Sequence, residues 1–155
     1  MDICNFLRFK RLDGTYTDWL AQNYYIGQII AYNDQQYPFY PVAVATNSSS
    51  RGGDRSEAVI GTAMSQLSMN IFCEAAKNGW LLEVRTVMVN SVDQSLGRQL
   101  TVEHWAALKV QHDSSEPAVV LQLASPLDAV RSPGGRVLSQ RLVGALPTNG
   151  NLTMQ

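Results

Sequence analysis

Alternation of apolar and polar residues predicts that short β-strands are the main elements of this chain. The alternation is clearest in residues 80–90, 102–112 and 118–124. A period of two is the pattern of a half-buried strand. The turn sequence HDSSEP separates the last two segments, so they predict an antiparallel hairpin in the core. In this hairpin we expect Leu108, Val110, Leu121 and Leu123 to be buried.

The first third of the chain predicts further strands separated by turn signals. Asp13-Gly14 lies between two short apolar runs and predicts a hairpin turn. Residues 26–32 form a β-branched run that ends at Asn33-Asp34. Residues 37–45 form a second extended run, but it contains two prolines. Proline cannot donate to a strand ladder, so the first half of this run is expected at an edge or a bulge.

Residues 58–76 carry both the strand and the helix period. Leu67, Met69 and Ile71 alternate, which favours a strand, whereas Leu67, Ile71 and Ala75 are four apart, which favours a helix. We predict a strand over residues 66–72 and a short helix over 73–78. Gly79 is expected to end that helix as its C-terminal cap.

These elements together predict a mainly β fold, a small antiparallel β-barrel or sandwich with one or two short helices. One domain is expected over residues 1–146, followed by a flexible tail over 147–155. Residues 46–57 contain no apolar side chain and predict a mobile surface loop. Residues 126–146 contain two prolines and several glycines and predict an arm outside the core.

Composition narrows the class of protein without naming a function. The 155 residues suit one domain, and 45% hydrophobic with 16% charged residues argues against disorder and coiled coil. A net charge of −1 gives no bulk attraction for nucleic acid. The N-terminus does not resemble a signal peptide, and no apolar run reaches the roughly 18 residues that span a bilayer. We therefore expect folding in a cytoplasm and no membrane span.

Candidate chemistry is sparse. Cys4 and Cys73 allow a disulfide but do not require one, and buried apolar packing is their commoner use. His104 and His112 lie on one predicted strand, roughly 26 Å apart, and so cannot share one ion. No nucleophile, phosphate-binding, dinucleotide or zinc motif occurs. We predict no catalytic residue, no metal site and no cofactor, and we do not expect an enzyme.

The candidate functional residues are instead those suited to contacts between proteins. Arginine forms directional bidentate pairs, and tyrosine is enriched at interfaces. The alternative for the arginines, a solvated loop, stays open. The protein-interface candidates are Tyr37, Tyr40, Arg51, Arg55, Arg131, Arg136 and Arg141.

The order of the segments resembles a known family. AYNDQQYPFYPVAV, LSMNIF and WLLEVRTVMV follow one another, and VVLQLASPLDAVRSPGGRVLSQRLVGALP closes the series. This order is similar to that of the L-type minor tail proteins of long-tailed phages and their relatives in gene-transfer agents. The likeness spans about residues 20–147 and is most specific over residues 123–146. Family members often bind an iron–sulfur cluster through later cysteines, but no cysteine follows Cys73 here.

The resemblance implies a compact hub-type β domain and a structural role in a phage tail. Such a protein joins the tail tube to the tail tip or baseplate, as a homo-oligomeric ring in contact with other tail and baseplate proteins. It would reside in the virion, and in the host cytoplasm before assembly. Residues 126–146 would be an assembly arm, or would fold back over the open end of their own barrel. A small β-barrel enzyme and a monomeric binding module remain alternatives.

Overall fold

The computed structural model describes residues 1–11, 18–47, 57–112 and 115–126. In this part of the chain there are nine β-strands and one α-helix, so the mainly β prediction is confirmed. The elements in chain order are β1 (Asp2–Lys10), β2 (Trp19–Gln22), β3 (Ile29–Tyr32), β4 (Gln35–Pro38), β5 (Val42–Asn47), β6 (Glu57–Ala63), α1 (Gln66–Asn78), β7 (Leu81–Val89), β8 (Leu96–His112) and β9 (Ala118–Ala124).

Seven strands form one antiparallel sheet in the order β2-β1-β7-β8-β9-β6-β5. The sheet is open, with β2 and β5 at its described edges, so it is not closed into a barrel; a sandwich-like arrangement fits it. The remaining strands, β3 and β4, form a separate two-stranded sheet. Strand β8 connects the two halves of the large sheet: it pairs with β7 up to Ala106 and with β9 from Ala106 onward.

Helix α1 spans residues that we predicted as a strand followed by a short helix. The predicted strand over residues 66–72 is wrong. The buried positions are Ser68, Ile71, Phe72 and Ala75, which lie on one helical face, whereas Leu67 is 56% exposed. The alternation of Leu67 with Met69 and Ile71 therefore did not reflect burial.

Both ends of α1 are capped by local interactions. The Ser65 side chain accepts a hydrogen bond from the Ser68 backbone N–H, and the Ser68 side chain accepts one from the Ser65 N–H. This reciprocal pair satisfies two N–H groups that the helix start leaves without partners. Gly79 adopts the left-handed conformation (φ 61°) at the C-terminus, so its predicted capping role is confirmed.

The main core lies between α1 and one face of the large sheet. Phe72 packs in it close to Phe9 of β1, with ring centroids 6.5 Å apart, and Trp80 lies 6.4 Å from the same Phe9 ring. Leu121 and Leu123 of β9 are fully buried here, as predicted.

A second core lies on the opposite face of β1 and β7, beneath the β3–β4 sheet. Phe6 of β1 stacks on Tyr32 at 4.5 Å and meets Tyr37 edge-on at 4.9 Å. Cys4 and Val87 are buried in the same cluster. Both faces of the β1–β7 pair are therefore covered, which accounts for the sandwich-like packing.

The predicted burial of one residue on β8 is wrong. A register shift between Ala107 and Lys109 leaves Leu108 without a partner on β9, and its side chain is 47% exposed. Trp105 and Ala107 enter the main core instead, and Val110 is half-buried against it. An extra residue in a strand changes which side chains face inward, and strict alternation along the sequence does not reveal that insertion.

The turn signal at Asn33-Asp34 was placed correctly, and the runs on either side of Asp13-Gly14 form paired strands. Strands β1 and β2 pair as the predicted hairpin, although residues 12–17 at its turn lie outside the described part. Asn33 and Asp34 have positive φ values of 47° and 60° and join β3 to β4. The proline-containing run splits into β4 and β5, and its first half lies in the two-stranded sheet, where every strand is an edge. Residues 48–56 and 127–155, including most of the predicted loop and arm and the whole predicted tail, are also outside the described residues.

Candidate interaction surface

Tyr37 does not form an exposed contact point, which corrects the expectation for this residue. Its side chain is 2% exposed and lies in the second core against Phe6. Burial raises the pKa of its hydroxyl, and the charges of Arg85 and Glu83 act on it from nearby. Tyr37 therefore holds the β3–β4 sheet against the large sheet.

Tyr40 is half-buried and packs within the chain. Its ring meets the Trp19 ring edge-on, with centroids 5.3 Å apart, and both residues contact the main core. Part of the Tyr40 side chain stays accessible to solvent. The five arginine candidates lie outside the described residues: Arg51, Arg55, Arg131, Arg136 and Arg141.

The described residues include a long strand edge that the sequence did not reveal. Residues 96–105 of β8 pair with β7 on one side, while the pairing with β9 begins only at Ala106. We call residues 96–105 the β8 edge. Unpaired edge groups can bind an extended segment of another chain. No sequence pattern signals this edge, because it arises where β8, with 17 residues, extends beyond β9, with 7, in the folded sheet.

Side chains of the β8 edge are largely exposed, and two of them are apolar. Leu100 is 47% exposed and Val102 is 39% exposed. Register shifts in the pairing with β7 occur near Gln99 and Thr101. Such irregularities limit pairing with an arbitrary strand. This edge therefore favours a partner strand whose backbone matches the irregular register.

Beside the β8 edge, on the sheet face opposite α1, lies an ion cluster around Glu83. Its carboxylate accepts a hydrogen bond from Arg85 Nε at 2.6 Å, and Lys10 Nζ lies 3.1 Å from its other oxygen. His104 Nδ1 lies 4.0 Å from that oxygen. Glu83 and Arg85 are two apart on one strand, so they share a face, and this spacing was the signal available in the sequence.

The protonation of Glu83 follows from two opposing effects. Burial acts to raise the pKa of this carboxyl, but hydrogen bonds from Arg85 and Lys10 outweigh it and leave the pKa below its ordinary value. Glu83 is therefore a buried anion whose partners are partly exposed. A second pair, Arg8 with Asp18 at 2.6 Å, joins β1 to the start of β2.

The described residues hold few groups suited to catalysis. His104 faces Glu83, whereas His112 lies far along β8 beside the Ala118 carbonyl at 3.4 Å. Cys4 is buried and Cys73 exposed, and neither forms a disulfide. Among the residues described, no group of His, Cys, Asp and Glu side chains is arranged to hold a metal ion. The helix of the described part is too short to cross a membrane.

Comparison with solved structures gives a likeness of fold. No protein-family model matches the sequence, and no curated protein matches it. The fold is similar to that of a chain in the virion of a native gene transfer agent (GTA) particle, with a TM-score of 0.52 and 15% sequence identity. The likeness covers 87% of this chain and 44% of the other. The present chain therefore spans less than half the length of that neighbour and resembles the fold of the part that it matches.

Proposed function

We propose that the chain is a structural protein of a phage-like virion. The observation that carries this proposal is the fold likeness to a chain of a GTA virion, which covers 87% of the present chain. The order of sequence segments, which resembles that of phage minor tail proteins, supports the same role from the sequence alone. The role is assembly, without catalysis and without a cofactor.

Within the virion, the proposed position is the tail. The chain acts there as a hub or adaptor that joins the tail tube to the tail tip or baseplate, and its copies form a ring. Its partners are further copies and other tail proteins, and before assembly it resides in the host cytoplasm.

The β8 edge is the proposed contact with the neighbouring subunit. Among the described residues it has no strand partner on its β9 side, and it carries the exposed apolar side chains of Leu100 and Val102. Main-chain hydrogen bonds supply affinity in strand addition, and the alternating side chains supply specificity. The charged groups beside it, Arg85 and His104, lie at the rim of this surface.

A matched pair of substitutions tests this role. Val102→Lys places a charge on the β8 edge, and Val92→Lys places the same charge on a residue that is 90% exposed in the β7–β8 connection. Tagged full-length chains would be supplied during particle production, and their incorporation measured by mass spectrometry of purified particles. We expect wild type and Val92→Lys to be incorporated, and Val102→Lys to be folded but excluded.

The possible results distinguish the proposed structural role in the virion from the assignment of the β8 edge as its contact surface. Exclusion of the wild-type chain from particles would contradict the structural role and favour the enzyme or binding-module alternatives. Equal incorporation of all three chains would leave the role standing but overturn the assignment of the β8 edge.

A further inference from the structure

An apolar groove lies on the opposite half of the large sheet from the β8 edge. Its volume is about 560 Å³. Strands β5, β6 and β9 form its floor through Ala43, Gly61 and Ala118, and Ile26 and Phe39 form its wall. Ile26 is 78% exposed, so this wall presents a large apolar side chain to solvent.

The wall of the groove is held in place by a buried side chain. Gln22 is fully buried; its amide oxygen accepts hydrogen bonds from the backbone N–H groups of Tyr24 and Tyr25, each at 2.8 Å. Its amide nitrogen donates to the carbonyls of Tyr25 and Gln28. The turn that carries Ile26 is therefore fixed to β2, and the groove is preformed.

The polar side chains around the groove already have partners inside the chain. Asn23 accepts from the Asn5 N–H and donates to the Val42 carbonyl, and the Thr62 hydroxyl donates to the Pro41 carbonyl. The Tyr24 hydroxyl donates to Asp2. Small-molecule sites use convergent polar groups to orient a ligand, and here such groups are engaged. The groove instead suits an apolar segment of polypeptide.

The groove is too small to hold a separate protein by itself, so its area favours an occupant that is tethered to the same chain. Three strands about 4.8 Å apart and about 20 Å long present roughly 300 Å², whereas a stable interface between separate proteins buries about 800 Å² on each partner. A second copy held by this face alone would dissociate. A segment of the same chain faces no such requirement, because a short tether gives an effective concentration near the millimolar range.

We propose that residues 137–146 of the same chain dock in this groove. The segment supplies five apolar side chains: Val137, Leu138, Leu142, Val143 and Leu146. The chain leaves β9 after Ala124, about 20 Å along the strand from Ala118 at the floor of the groove. Fully extended, the residues from Pro126 to Val137 span up to about 36 Å, which is enough to return to it.

Charge is compatible with this docking. The residues that line the groove carry no formal charge, so they do not repel Arg141 of the segment or Arg136, which directly precedes it. Glu116 is exposed two residues before Ala118, and its carboxylate can pair with either guanidinium at the rim. The inference concerns the isolated chain and does not depend on the proposed virion role.

Tryptic cleavage of the folded, full-length chain after Arg136 and Arg141 tests the docking. Gly61 lines the groove, and a Cβ added there would meet no described atom within 4 Å, so Gly61→Leu introduces its side chain at the docking surface. Thr101→Leu, at an exposed position of β8, is the control. We expect slow cleavage in wild type and control, and cleavage at least about tenfold faster in Gly61→Leu, equivalent to about 1.4 kcal/mol. Equal rates in all three chains would overturn the proposal.

A disulfide test identifies the occupant. Ala63→Cys in the groove is combined with Leu138→Cys in a Cys73→Ser background, and the control pairs Leu138→Cys with Lys77→Cys on α1. We expect a cross-link of monomer mass in the first chain, formed at least about tenfold faster than in the control, as expected for a locally concentrated pair. A cross-link of dimer mass would assign the groove to a second copy, and equal cross-linking in the two chains would exclude a specific site; either result overturns the proposal.

Discussion

Glu83 and Arg85 form an ion pair two residues apart on β7, with Arg85 Nε 2.6 Å from the Glu83 carboxylate. The carboxylate is almost fully buried, while the guanidinium is partly exposed. Removal of the anion would leave Arg85 and Lys10 facing a neutral group. Because hydrogen bonds to charged groups are worth more than neutral ones, we expect Glu83→Gln to lower the free energy of unfolding by about 1–3 kcal/mol. Urea unfolding near neutral pH measures this change.

The same carboxyl predicts a pH dependence of stability. Its pKa in the folded chain is below the ordinary value of 4.5. The stabilisation is therefore fully present above the unfolded-state pKa and is lost as the pH falls through the folded-state pKa. Wild type should lose stability over this acidic range more steeply than Glu83→Gln. Parallel profiles for the two chains would show that the ion pair does not contribute.

Two leucines on neighbouring strands test the corrected register of β8. Leu121 is fully buried on β9, whereas Leu108 is 47% exposed at the bulge. Leu121→Ala should cost about 2–5 kcal/mol, the range for truncation in a packed core. Leu108→Ala should cost less than about 1 kcal/mol, as at other partly exposed positions. Equal costs in chemical denaturation would mean that the bulge is misplaced.

The capping interaction at Ser65 predicts a smaller effect. Ser65→Ala removes the acceptor for the Ser68 N–H, and loss of such a cap costs about 1 kcal/mol. Glu74→Ala, at an exposed position on the same helix, serves as control and should change stability by less than about 0.5 kcal/mol. The account of α1 fails if the two variants unfold at the same denaturant concentration.

The two cysteines should differ in reactivity. Burial raises the pKa of the Cys4 thiol to about 11, so near neutral pH it is both protonated and shielded. Cys73 is exposed on α1. Brief alkylation of the folded chain should add one group, at Cys73, and alkylation in denaturant should add two. Rapid double modification of the folded chain, detected by intact mass, would contradict the burial of Cys4.

Strand positions were predictable where burial and alternation coincide. Strand β9 begins and ends at the predicted residues. The turn at Asn33-Asp34 and the helix cap at Gly79 were also predicted correctly, because these signals depend on local backbone chemistry. Helix α1 was missed in part, since Leu67 and Ile71 fit both the strand and the helix period, and only tertiary packing decides between them.

The candidate surface was less predictable than the fold. Tyr37 and Tyr40 are the same residue type and each directly precedes a proline. Only the packing of β4 on β1 makes Tyr37 a core residue. The β8 edge depends on where β9 ends relative to β8, which is a relation between strands. The groove arises similarly, since Ala43, Gly61 and Ala118 come together only in the sheet.

The most direct test of the proposed role is the position of the chain in an intact particle. Particles carrying a tagged full-length chain would be purified and imaged by electron microscopy, with the tag labelled. The account predicts label confined to the end of the tail, and density there that accommodates a ring of the seven-stranded fold. Particles that are complete and infectious or transfer-competent without the chain, with no label at the tail end, would contradict it.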